Sequence, residues 1–160
     1  LDFDKEIKEE DITEWGLSKP LTHFEEEIDF WNWAKDFNGS SIFRNLKTYE
    51  NSIEALLEIS MAGHEVIIIS SKPWWAISDT LIWLGENKIP SKEIHFLEDK
   101  WTIDCDVYID DAPHQLENFV KHVPDKLILR FVRTYNRPVT GTKDLNNWLE
   151  LNSLLESYNL

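Results

Sequence analysis

The chain is poor in several things, and each shortage excludes something. Cys105 is its one cysteine in 160 residues. A lone thiol rules out an intramolecular disulfide and fits a reducing, cytoplasmic setting. The five histidines are scattered, and with a single cysteine they make no zinc-binding spacing. Long apolar runs are absent: stretches such as "VIII" at 66–69 are far too short to span a bilayer. Basic residues are scarce, 16 Lys and Arg against 30 Asp and Glu, for a formal charge of −14. That field repels nucleic-acid backbones and anionic membranes, so polymeric nucleic acid and membrane are not expected as partners. A small anionic substrate needs a local basic mouth to override it. No secretory signal, internal repeat or low-complexity linker is visible, and the opening on Leu1 rather than Met suggests that something upstream has been removed.

The apolar share is 42% and includes eight Trp, a globular composition long enough for one domain spanning 1–160. The acidic runs "DKEIKEED" (4–11) and "FEEEID" (24–29) read as solvated surface. After a loop-like start, "THFEEEIDFWNWAKDF" (22–37) reads as a helix, with Thr22 as N-cap and Glu25 completing a capping box. A second helix is expected over 48–62, stopped by Gly63. Strands are expected near 65–70, 94–97, 106–110 and 126–131. Helices are expected over 74–88, 115–122 and 143–158. The β-branched, unalternating "EVIIIS" (65–70) has the texture of a strand covered on both faces. Strands alternating with helices imply an α/β domain with a parallel sheet.

Ligands in such sheets bind beyond the carboxyl ends of the strands. Three features fall there: Ser70 and Ser71 after "VIII", Lys100 in "EDKW", and the adjacent carboxylates Asp110 and Asp111 after "VYI". Neighbouring carboxylates repel unless a cation stands beside them. Mg²⁺ suits this position, taking one or two carboxylates, waters and phosphate oxygens. Lys100 would balance a phosphoryl charge, and the Ser70 hydroxyl would donate to one of its oxygens. Singly, each has a plain reading as turn, helix cap or surface lysine. In combination they describe a phosphoryl-transfer site without a nucleophile.

Response-regulator receivers use the same groups but place the acidic pair first. The order serine, lysine, paired aspartates resembles the haloacid-dehalogenase-like (HAD) phosphatases. More narrowly, "EDITEW" (10–15), "VIIISSKP" (66–73), "FLEDKWTIDCDVYIDDAP" (96–113), "RTYNRP" (133–138) and "NNWLEL" (146–151) resemble the 5′(3′)-deoxyribonucleotidase branch. The resemblance implies a HAD-like Rossmannoid three-layer domain. Its core would occupy about 48–160, with a small helical cap near the N-terminus at about 10–47. It implies a Mg²⁺-dependent phosphatase that hydrolyses deoxyribonucleoside monophosphates through an aspartyl-phosphate, and often a homodimer. Ser70, with Ser71 beside it, matches the phosphate-binding hydroxyl. Lys100 matches the lysine that steadies nucleophile and phosphate. Asp111 matches the metal-binding aspartate, and Asp110 its partner acting through water or on Lys100. Aromatic residues lining the family's base pocket make Trp31, Trp33, Trp74 and Trp75 candidates for stacking.

The family's first motif, Asp-x-Asp at the end of an apolar strand, supplies the nucleophile and the general acid/base. The D-x-D formed by Asp2 and Asp4 follows a single Leu and precedes Lys5-Glu6, so it does not fit. A central strand cannot be removed without orphaning two rows of backbone groups. The nucleophile strand is therefore expected upstream of Leu1, with a strand from a partner chain as the alternative. Two other readings stand beside the nucleotidase. One is a non-catalytic HAD-like acidic binding or regulatory domain. The other is a HAD phosphatase for another small phosphomonoester.

Overall fold

The computed structural model describes residues 7–16 and 24–160. It is an α/β fold in which helices flank parallel strand pairs, and its residues cluster into two compact units. The first comprises Leu1–Asn32 and Cys105–Asp144, the second Trp33–Asp104 and Leu145–Leu160. Helix α1 (Glu27–Lys35) runs through one point of division. The expected capping residue Thr22 and the pair Asp2 and Asp4 lie outside the described residues.

In the first unit, β3 (Val107–Asp110) pairs in parallel with β4 (Leu127–Phe131), and Asp110 stands opposite Arg130. Strand β5 (Lys143–Leu145) extends the pair on the β4 side. Helix α4 (Pro113–His122) makes the crossover between β3 and β4. Pro113 starts it without sacrificing a hydrogen bond, because the first-turn N–H is unpaired in any helix. Lys121 and His122 in the last turn suit the negative end of its dipole. Its inner face buries Leu116 and Phe119 beside the strand residues Tyr108, Ile128 and Leu129. The Tyr108 and Phe119 rings lie 4.5 Å apart, which pins the helix over β3.

In the second unit, β1 (Ile67–Ser70) and β2 (Glu93–Phe96) form a parallel pair with Ser70 opposite Phe96. Helix α2 (Ser52–Met61) precedes β1, and α3 (Ile77–Glu86) connects the two strands. The closing helix α5 (Leu151–Ser157) packs against α2, burying Leu151, Leu155, Ala55 and Ile59. At the end of α2, Gly63 adopts φ +104°, and the His64 N–H reaches back to the Ile59 carbonyl. A side chain at Gly63 would be strained in that conformation.

Two expectations need correction. The stretch 143–158 is not one helix: it begins as β5, turns through a 3₁₀ segment at Trp148–Glu150, and becomes helical from Leu151. Asp144 is drawn to the strand by Arg130, an attraction that helical periodicity does not contain. Nor is β1 covered on both faces among the described residues. Ile67, Ile68 and Ile69 are all half-buried, and β2 is the one described strand that pairs with β1.

Candidate functional site

Asp110 and Asp111 mark the carboxyl end of β3, both half-buried. The Asp110 Oδ1 accepts the Ala112 N–H at 2.9 Å, a short turn that swings the chain from strand into α4. The Asp111 side chain is held differently, by segment 133–137 after β4. The Tyr135 hydroxyl donates to Asp111 Oδ2, and Asn136 Nδ2 donates to the Asp111 carbonyl at 2.9 Å.

Asn136 is the centre of this arrangement and only 6% exposed. Its Nδ2 also donates to the Phe131 carbonyl at 2.8 Å. Its Oδ1 accepts the Arg133 N–H at 3.0 Å and Arg130 Nη1 at 3.1 Å. Arg130 is buried as well, at 4% exposure, in an otherwise apolar strand. Its Nη1 donates to the Asn136 carbonyl at 2.9 Å, and its Nε and Nη2 grip both oxygens of Asp144 at 2.8 and 2.7 Å. Those hydrogen bonds from Arg130 hold the Asp144 carboxyl below its ordinary pKa, against some burial cost. The chain of contacts Asp144–Arg130–Asn136–Asp111 thus ties β5 and β4 to the acidic end of β3.

Next to it is an open pocket of about 510 Å³ whose lining includes Trp15, Pro113, Thr134, Tyr135 and Asn136. The Trp15 ring stands 5.6 Å from His114 and 5.7 Å from Tyr135. Thr134 Oγ1 donates to the Ile12 carbonyl at 2.7 Å, and Arg133 pairs with Glu9. These contacts seat the "EDITEW" stretch on the turn after β4.

The remaining candidates belong to the second unit. Ser70 ends β1, and its carbonyl accepts the Leu97 N–H at 3.0 Å. Ser71 follows it, half-buried. Lys100, also half-buried, opens a 3₁₀ turn just past β2. All three therefore lie at the carboxyl end of the β1–β2 pair. Trp74, 78% exposed, has Lys35 Nζ 5.5 Å from its ring centre. Trp75 lies 5.9 Å from Phe43, over which Lys72 Nζ stands at 3.7 Å. Trp33 packs on Phe37, while in the first unit Trp31 donates from Nε1 to Glu27.

Sequence reasoning gave no role to Tyr135 or Asn136, although both lie in "RTYNRP", and did not single out Arg130 or Asp144. The legible signal was Arg130 itself, a charge inside "KLILRF", which demands a buried partner. Among the described residues, no group of three or more His, Cys, Asp or Glu is placed to hold a metal ion. Two strand-end carboxylates, Asp110 accepting a backbone N–H and Asp111 a hydroxyl, still fit Mg²⁺, which keeps several waters and needs few protein ligands.

The family model for the 5′ nucleotidase, deoxy (pyrimidine), cytosolic type C protein matches residues 1–158. The chain belongs to this family. That membership places the α/β fold in the HAD superfamily. The chain also resembles a protein of Oceanobacillus iheyensis that bears a provisional nucleotidase name. The two are 27% identical over 115 residues, which covers 66% of this chain. The chain spans 60% of the length of that relative. No described helix is long and apolar enough to cross a membrane.

Proposed function

We propose that this chain carries the phosphate- and metal-handling part of a Mg²⁺-dependent phosphomonoesterase acting on deoxyribonucleoside monophosphates. The nucleophile, an aspartate upstream of the chain, forms an aspartyl-phosphate that water then hydrolyses. The observation that carries this reading is the Asp110–Asp111 end of β3, clamped at Asp111 by Tyr135 and Asn136 in a chain of this nucleotidase family.

In this reading Asp111 holds the metal, with Asp110 beside it. Bound Mg²⁺ would neutralise charge on the phosphoryl oxygens. Ser70 and Ser71 donate hydroxyls to those oxygens, and Lys100 supplies a positive charge to the phosphate and the attacking carboxylate. Lys35 and Lys72, each over an aromatic ring, lend local positive charge to an otherwise acidic chain. Trp74 and Trp75 offer faces on which a nucleobase could stack. The half-buried isoleucines of β1 leave apolar surface for the nucleophile-bearing strand to cover.

The test is phosphate release from dUMP or dTMP by the full-length protein. Asp111→Ala and, separately, EDTA are expected to abolish turnover. Activity that survives both would sink the reading. Mg²⁺ binding without turnover of any phosphomonoester would favour a non-catalytic binding domain.

A further inference from the structure

We infer that Tyr135 is a positioning residue for Asp111: its hydroxyl fixes one carboxylate oxygen and leaves the other to a divalent cation, while Asn136 fixes the backbone beneath. The inference rests on the proposed metal role of Asp111 and assigns new work to the turn after β4.

A carboxylate at a strand end can rotate about its last side-chain bond, and each orientation it samples dilutes the one a metal requires. Tyr135 removes that freedom by donating to Oδ2. The donor is neutral, so it orients the carboxylate without cancelling the charge that attracts the cation. A lysine or arginine there would compete with the metal outright. The tyrosine ring is itself steadied by Trp15, 5.7 Å away and tilted by 59°.

The tyrosine is aimed by its neighbour. The carboxamide of Asn136 has two donors and two acceptor positions, and all four are used. Its nitrogen meets two carbonyls, those of Asp111 and Phe131, and its oxygen meets two donors, Arg133 N–H and Arg130 Nη1. Turning the amide over would set donors against donors and acceptors against acceptors, so its orientation is determined. Asn136 thereby holds the Asp111 carbonyl in a fixed place relative to the end of β4, within reach of the hydroxyl one residue earlier. Groups that orient metal ligands in this way typically set affinity by about ten- to a hundredfold.

Tyr135→Phe keeps the ring and deletes only the hydroxyl. In the full-length protein, titration with Mg²⁺ alone by calorimetry should show affinity reduced by about tenfold. The thermal midpoint measured without Mg²⁺ should be unchanged, and activity should recover as Mg²⁺ is raised. Unaltered Mg²⁺ affinity in the variant, whether or not its midpoint falls, overturns the positioning role and leaves the proposed function standing. Failure of the unsubstituted protein to bind Mg²⁺ overturns both.

Discussion

Asp144 and Arg130 divide a problem between them: the arginine is almost wholly buried, while the aspartate side chain keeps 48% of its surface. A guanidinium cannot shed its proton, so burial at β4 is tolerable only because each of its nitrogens has a partner. Asp144 supplies two of those contacts and gains a depressed pKa in return. Its folded-state pKa lies below the unfolded value of 3.8, so its stabilising contribution is complete above that value. It is lost as the pH falls through the lower folded-state value. Asp144→Asn should therefore lower stability at neutral pH, and its deficit relative to the unsubstituted protein should shrink below pH 3.8. Urea unfolding at a series of pH values measures this directly. A deficit that stays constant into strong acid would show that the charge on Asp144 contributes nothing.

At the scale of elements, much of the structure follows from local chemistry, and some of it does not. Pro113 at the head of α4 and Gly63 past the end of α2 stand where the backbone needs them. Gly141, before β5, is a subtler case. It adopts φ +98°, and an added Cβ would lie 3.0 Å from Val120 Cγ1 on α4. Gly141→Ala should cost about 1–2 kcal/mol from the left-handed backbone alone, with crowding against Val120 added. Equilibrium unfolding tests it, and a stability change within about 0.5 kcal/mol would mean the loop relaxes freely. The strands were readable because β-branched and aromatic residues cluster in them, as in "VIIIS" and "VYID". Strand β5 was not, since "KDL" has no strand character by itself and owes its place to Arg130.

For the whole molecule, the formal charge of −14 sets the long-range field that an anionic substrate of the proposed kind would meet. The field from dispersed carboxylates reaches about 30 Å at 0.01 M salt but only about 8 Å at 0.15 M. Under the proposed function, short-range contacts from Ser70, Lys72 or Lys100 would be much less screened. Raising ionic strength across that range should therefore increase kcat/KM for a deoxyribonucleoside monophosphate, by about two- to threefold as a measure of relieved repulsion. A steep fall instead would mean that local lysines, rather than the global field, govern capture. The substrate class in this prediction is that of the proposed function.

By itself the sequence determined the alternation of strands and helices, the carboxyl-end positions of Ser70, Lys100, Asp110 and Asp111, and the motif order that points to a HAD phosphatase. Those features are local: hydrophobic texture, turn residues and the spacing of a few polar groups along the chain. Tertiary structure alone decided which residues hold Asp111 in place. Tyr135 and Asn136 come to it from 24 and 25 positions along the chain, and Arg130 finds Asp144 across 14. Such partnerships form because buried polar groups must find complements wherever folding brings them, and nothing in the linear order of residues names the partner in advance.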